Sequence, residues 1–165
     1  MQLTGKQIVE EGIITGFDSE NAVQQQGIDL RIVGVRKLKR NRHAIIPAKG
    51  KTILPKYQDI PVRDIGTGKG WKLKPGYYEI ILAEGCKIPN NRAMTLVQRS
   101  SLLRSGCIIR SSQFDAGFET DQMGTFMAVF SPVTIEYRAR VAQTLVLKTA
   151  VVSKENLYNG QYQGK

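Results

Sequence analysis

From Ile13 onward the chain is broken into short β-branched and aliphatic runs spaced by turn residues: IDLRIV, AIIP, TILP, GYYEIILA, AMTLV, CIIRSS, TFMAVF and VTIEYRARVAQTLVLKTAVV. No stretch between them carries the 3.6-residue periodicity of a long helix, so nothing is available to make the crossovers of a parallel sheet. The pattern predicts an all-β chain, closed as a barrel or jelly-roll, and argues against a Rossmann-type enzyme. One helix is expected, and a short one. Thr4 can cap about two turns that set Ile8 and Val9 among polar residues and stop at Gly12.

With 165 residues the chain has length for a single domain, and 41% hydrophobic with 23% charged residues is ordinary globular usage. No apolar stretch approaches the ~18 residues of a membrane span. The N-terminus, MQLTGKQIVEEG, lacks the basic-then-apolar order of a secretory leader, so a soluble, cytoplasmic protein is expected. Cys86, Cys107 and the single His43 do not cluster at metal-ligand spacing, and the two thiols read as buried core groups.

Charge points outward. The 24 Lys and Arg against 14 Asp and Glu leave a net charge of +10, which favours an anionic partner: nucleic acid, phosphates or an acidic surface. Arg36, Lys37, Lys39, Arg40 and Arg42 form a basic run between two strand candidates, readable as a solvated loop or as a nucleic-acid contact. Gly66-Thr67-Gly68-Lys69-Gly70 lacks both the spacing and the Lys-Ser/Thr ending of a P-loop and is expected to be a flexible β-turn.

Chemistry concentrates in two places. Gln98-Arg99-Ser100-Ser101-Leu102-Leu103-Arg104-Ser105-Gly106 offers guanidinium forks and hydroxyls suited to phosphate oxygens, although a polar strand-to-turn link would look the same. In Phe114-Asp115-Ala116-Gly117-Phe118 a carboxylate lies between two aromatics, placed either to activate a water or to shape a β-turn. Asp29 and Gln143 are similarly open, as groups facing a metal-bound phosphate or as turn and strand polar residues.

Five segments, in order, resemble the motifs of the dCTP deaminase and trimeric dUTPase superfamily. They are Gln24-Gln25-Gln26-Gly27-Ile28-Asp29-Leu30-Arg31, with Ile28 in place of the usual tyrosine; Cys86-Lys87-Ile88-Pro89 leading to Arg99-Ser100-Ser101-Leu102 and Arg104-Ser105-Gly106; Phe114 to Phe118; Arg140-Val141-Ala142-Gln143; and Tyr158 to Gly164. The short spacing from Arg104 to Asp115 is similar to that of the archaeal-type dUTPase branch. The resemblance implies a distorted jelly-roll of the dUTPase-like β-clip type with a short N-terminal helix, one domain over 1–165. It also implies a homotrimer with active sites at subunit interfaces and a mobile lid over 158–165.

For function, the resemblance implies hydrolysis of dUTP to dUMP and pyrophosphate with Mg²⁺. Asp115 would activate the water, while Arg99, Ser100, Ser101 and Arg104 hold the phosphates. Asp29, through water, would face the metal, with Gln143 beside it on the phosphate chain. The strand around Ser112 would read the uracil edge, and Phe118 would stack on the deoxyribose. Tyr158, Tyr162 and Gln163 would close the site. Two rivals stay open. A dCTP deaminase needs a glutamate on the strand Gly124-Thr125-Phe126-Met127-Ala128-Val129-Phe130; that position falls on Ala128 or Val129, leaving only Glu119 or Asp121 to fold back as a substitute. A non-catalytic nucleotide- or nucleic-acid-binding regulator on the same fold is the other, with nucleic acid a less favoured partner than dUTP. Gln161 stands where many deaminases carry a lysine, and Arg138 where a turn glycine is common.

Overall fold

The computed structural model describes residues 1–39 and 43–164, so Arg40, Arg42 and Lys165 of the sequence reading lie outside the described residues. Helix α1 (Gly5–Glu10) begins as its sequence requires. Thr4 and Gln7 form a reciprocal capping box, and Gly12 follows with φ +62°. A second single-turn helix, α2 (Ser100–Arg104), replaces the strand-to-turn link expected there.

Everything else that is regular is strand. In chain order these are β1 (Ile14–Thr15), β2 (Val23–Gln24), β3 (Gly27–Leu38), β4 (Tyr57–Asp59), β5 (Arg63–Asp64), β6 (Lys69–Leu73), β7 (Gly76–Leu82), β8 (Gly85–Lys87), β9 (Arg92–Gln98), β10 (Cys107–Arg110), β11 (Glu119–Thr120), β12 (Gly124–Val129), β13 (Val133–Glu136) and β14 (Arg140–Lys148). The main sheet runs β10-β12-β7-β3-β14-β9, with β2 and β4 also paired to β3. Its two edge strands come together where the Gln98 side chain accepts a hydrogen bond from the Ile109 amide at 3.3 Å, giving a barrel-like closure. Two small sheets, β1-β8-β11 and β13-β6-β5, flank it. All ladders are antiparallel, as expected of runs joined by short turns.

Strand β3 is the centre of the molecule. Its first six residues are buried on both faces: Ile28, Leu30 and Ile32 pack into the core, and the alternating Asp29 and Arg31 are buried on the opposite side. A polar pair in that position needs partners, and these two residues organise the polar interior described below. Trp71, 2% exposed, closes one flank of the core, and its indole N–H donates to the Ile60 carbonyl at 2.9 Å. Cys86 and Cys107 are free and buried, and burial pushes the Cys86 thiol up to about 12, in keeping with a packing role.

Three glycines and one arginine fix local geometry. A Cβ at Gly27 would stand 2.2 Å from the Thr144 carbonyl oxygen and 2.9 Å from Gln143 Cγ, so only glycine lets β3 approach β14 here. Gly27→Ala is therefore expected to destabilise the fold by ~1–3 kcal/mol and to displace Gln143; a chemical-denaturation midpoint equal to wild type would contradict this. Gly66 and Gly68, with φ +96° and +154°, shape the β5–β6 turn, which makes the Gly66–Gly70 segment a hairpin turn. The run VTIEYRARVAQTLVLKTAVV is not one strand. It breaks between β13 and β14 at Arg138, whose φ of +67° marks the position where a glycine is common, and whose guanidinium is tied to Asp18 Oδ2 at 2.8 Å. AIIP and TILP likewise form only a bridge, Ile45 against Ile53.

Candidate active site

Two clusters carry the sequence-predicted site residues, and β9 connects them. The first is built by the ladder that sets Asp29 of β3 opposite Gln143 of β14. Next to that pair Val141 is bulged out of the β3–β14 register, a distortion that re-aims neighbouring side chains. Gln143 Nε2 donates to Asp29 Oδ1 at 3.4 Å, and Arg99 Nε lies 3.3 Å from Asp29 Oδ2. Asp29 is 1% exposed, and its Oδ2 has no hydrogen-bond partner among the described residues. Arg99 is placed by its amide, which donates to the Val141 carbonyl at 3.0 Å, and it caps α2. Ser100, Ser101 and Arg104, all on that single turn, are exposed.

Burial is the largest influence on the Asp29 carboxyl and raises its pKa, opposed by the charges of Arg99 and Arg140 and by the Gln143 hydrogen bond. The sign of the consequence is fixed. A carboxyl raised in the folded state contributes stability that is fully present below its unfolded value of ~3.9 and is lost as pH rises through the folded value. Asp29→Asn is therefore expected to melt higher than wild type at pH 7, with the difference shrinking as pH falls toward 4; a lower melting midpoint at pH 7 would show that the Arg99 contact outweighs burial.

The second cluster surrounds Asp115. Phe114 bridges Met94 of β9 with hydrogen bonds of 3.1 and 2.7 Å, and Gly117 N and Phe118 O bond both sides of Ile88 at 2.9 Å, so the turn is anchored at both ends. Asp115 itself is exposed, with one oxygen accepting from Gln113 Nε2 at 2.9 Å and the other accepting no hydrogen bond among the described residues. Phe114, Phe118 and Tyr158 form an edge-to-face chain with centroids 5.4 and 5.3 Å apart. The C-terminal segment docks on this same turn: Tyr158 N donates to Ala116 O at 2.9 Å, and the Gln163 amide donates to Gly117 O at 2.9 Å while accepting from Glu119 N at 3.3 Å. Gly117, with φ +87°, must be glycine because a Cβ would meet Leu157 Cβ at 2.8 Å. Ser112 is exposed just before the turn. Tyr162 N donates to the Tyr158 hydroxyl at 3.4 Å, so the tyrosines of this segment are grouped.

Within one chain the clusters stay apart. Phe114 pairs with Met94 and Ala142 pairs with Gln98, and the five steps from Met94 along β9 to Arg99 just beyond its end cover roughly 16 Å at ~3.3 Å each. Elsewhere, Ala128 and Val129 lie in β12 between β7 and β10, Val129 buried, and neither side chain has a group that can give or take a proton. Of the two acidic residues named as substitutes, Glu119 is 3.5 Å from Lys87 Nζ across β11–β8, and Asp121 is exposed on a bend. Among the described residues no three His, Cys, Asp or Glu side chains gather as a metal cage.

The sequence reading missed a buried ion pair. Arg31 Nε donates to Glu84 Oε1 at 2.6 Å, its amide donates to Glu84 Oε2 at 2.9 Å, and its remaining nitrogens reach the Gly16 carbonyl and Asp18. The Arg138 hydrogen bond, more than any other influence, lowers the Asp18 carboxyl below the ordinary carboxylate range. Arg140 was also given no role, though its charge acts on Asp29 and its guanidinium holds the Asn21 carbonyl at 2.8 Å.

The family model described as dCTP deaminase-like matches residues 2–149. A probable deoxyuridine 5'-triphosphate nucleotidohydrolase of Halobacterium salinarum is 36% identical over 146 residues, 88% of this chain and 85% of its own. The deoxyuridine 5'-triphosphate nucleotidohydrolase of Methanocaldococcus jannaschii is 35% identical over 151 residues, 90% of this chain and 93% of its own. The crystal structure of 2'-deoxycytidine 5'-triphosphate deaminase from Agrobacterium tumefaciens superposes with a TM-score of 0.63 at 14% identity, a likeness of fold; it covers 87% of this chain, which spans about half (47%) of that longer one.

Proposed function

The chain belongs to the dCTP deaminase-like family, and from that premise we propose that it hydrolyses dUTP to dUMP and pyrophosphate. The observation that carries the reading is the division of acid groups. Asp115 is an open carboxylate on a doubly anchored turn, while the strand where a deaminase needs its proton carrier holds Ala128 and Val129.

In this mechanism a water donates its proton to Asp115 as its oxygen bonds to the α-phosphorus, the bond from that phosphorus to the bridging oxygen breaks, and pyrophosphate departs. Arg99, Ser100, Ser101 and Arg104 bind the phosphate oxygens and hold the chain in line, which is most of what such a reaction asks of a protein. Phe118 packs on the deoxyribose, the backbone near Ser112 reads the uracil, and Tyr158, Tyr162 and Gln163 form the lid over the phosphates. A Mg²⁺ ion would supply charge neutralisation on the triphosphate. The Oδ2 of buried Asp29, which faces Arg99 Nε at 3.3 Å but accepts no hydrogen bond among the described residues, would suit a hydrogen bond from a metal-bound water, with Gln143 orienting the carboxylate from its other oxygen.

The separation of Arg99 from the Asp115 turn along β9 supports a site completed between copies of the chain, in a jelly-roll homotrimer. A soluble, cytoplasmic location is part of the same reading; among the described residues no helix is long and apolar enough to cross a membrane. Hydrolysis in ¹⁸O-labelled water tests the mechanism. Label in dUMP is expected, label in pyrophosphate would move the attack to the β-phosphorus, and no hydrolysis would overturn the function.

A further inference from the structure

Six asparagines occur in the chain, and Asn159-Gly160 is its single Asn-Gly pair. The pair lies in the middle of the latch that holds the C-terminal segment on the Asp115 turn. Before it, Tyr158 N donates to Ala116 O at 2.9 Å; after it, Gln163 Nε2 donates to Gly117 O at 2.9 Å and Gly164 N to Glu119 O at 3.0 Å. Position 160 has to be glycine. A Cβ there would stand 2.4 Å from Tyr158 Oη and 2.5 Å from its Cζ, and that ring is held in place, edge-to-face on Phe118 and with its hydroxyl accepting from Tyr162 N at 3.4 Å. Asn159 and Gly160 are both exposed and outside helix and strand, and among the described residues no hydrogen bond restrains the Asn159 amide. Asn156, three residues earlier, differs on both counts: Leu157 follows it, and its side-chain amide donates to Ser153 Oγ at 3.0 Å.

We propose that Asn159 is a site of spontaneous deamidation and that its conversion to isoaspartate unlatches the C-terminal segment. Asparagine is a thermolabile residue, and a glycine after it leaves the next amide nitrogen with no side chain to shield it. The Gly160 nitrogen loses its proton and bonds to Asn159 Cγ, the Cγ–Nδ2 bond breaks, and Nδ2 leaves as ammonia, closing a succinimide. Water then opens that ring at either carbonyl, to aspartate or to isoaspartate. The balance is one water consumed and one ammonia released per chain, with no enzyme, metal or nucleotide needed. In isoaspartate the main chain runs through Cβ and Cγ, which lengthens the path between the Tyr158 and Gln163 anchors by one carbon, about 1.5 Å, and leaves a free carboxylate. The spacing that lets both anchors grip one turn is then lost. On the reading of 158–165 as the lid over the triphosphate, the new negative charge also repels the substrate.

The test ages the full chain for days at 37 °C and pH 8.5, against a portion kept at pH 6, where the Gly160 amide gives up its proton far less readily. A mass gain of about 1 Da is expected, placed by tandem fragmentation at Asn159 and not at Asn156, together with methyl acceptance from an isoaspartyl methyltransferase. In the converted chain the Tyr158 and Gly164 amides should exchange hydrogen roughly tenfold faster or more, because the bonds to Ala116 and Glu119 open. Affinity for a non-hydrolysable dUTP analogue should fall about three- to tenfold. In Asn159→Ser, aged and fresh protein should be alike in all four measurements. No mass gain at Asn159, equal conversion at Asn156, or a converted chain whose Tyr158 and Gly164 amides exchange as slowly as before would each overturn the inference. Mass and hydrogen exchange are read without nucleotide, so a chain that deamidates and unlatches but neither binds the analogue nor hydrolyses dUTP counts against the proposed function alone.

Discussion

Asp115→Asn is expected to lower the turnover of dUTP by about 10²–10⁴-fold while leaving the substrate affinity and the fold intact, since proton transfer by a positioned carboxylate has that worth. Asparagine keeps the shape and can still face Gln113, which now holds one carboxylate oxygen at 2.9 Å, but it cannot take a proton. The turn is otherwise fixed by backbone bonds to Met94 and Ile88, so its geometry does not depend on the charge. Steady-state kinetics checks the split: kcat falls and the dissociation constant of a non-hydrolysable analogue does not. Arg99→Ala should show the opposite emphasis, weakening analogue binding by ~1.5–3 kcal/mol for a lost charged hydrogen bond. Wild-type turnover in the asparagine variant would remove Asp115 from the mechanism.

The largest stability effect is expected at Glu84. Its side chain is fully buried and meets both the amide and the guanidinium of Arg31, itself 6% exposed, so Glu84→Ala leaves a buried cation with half its partners gone. Removal of one member of such a pair costs ~3–5 kcal/mol. For a chain of this size that is a fall in Tm of roughly 6–20 °C. The double variant Arg31→Met, Glu84→Leu should recover much of the loss, because the cost of the single change is an unpaired buried charge and apolar replacement removes both charges. Differential scanning calorimetry on the three proteins checks this; a Glu84→Ala protein as stable as wild type would mean that Asp18 and the Gly16 carbonyl suffice for Arg31.

Much of this was legible in the chain, for reasons local to it. Thr4 is recognisable as an N-cap from its neighbours alone, to which the structure adds the reciprocal bond from Gln7, and period-two burial in β12 and β14 follows from alternating side chains. Arg138 stands where a turn glycine is common, and the structure gives it a φ of +67°, the left-handed conformation that explains the preference. The motifs carrying Asp29, Arg99, Asp115 and Gln143 could be picked out by residue type and order.

What escaped depends on partners distant in sequence. Glu84 meets Arg31 across 53 residues, and nothing near either of them marks a buried carboxylate. The burial of Asp29 arises because β3 is covered on both faces, whereas its sequence reads like the edge of a strand entering a turn. The docking of Gln163 on Gly117, 46 residues away, could not be read from a Gly- and Gln-rich tail whose composition suggests only mobility. Helix α2 was missed because Ser100 to Arg104 is too short to show periodicity.

The central claim is tested most directly by incubating the purified protein with Mg²⁺ and, separately, dUTP, dCTP, dTTP and UTP, following pyrophosphate and ammonia together. Pyrophosphate from dUTP, with no ammonia from dCTP, is the predicted result. Ammonia from dCTP would contradict it, because a proton carrier would then be replacing the glutamate absent at Ala128 and Val129; silence in both channels would contradict it equally and leave a binding protein on an enzyme's fold.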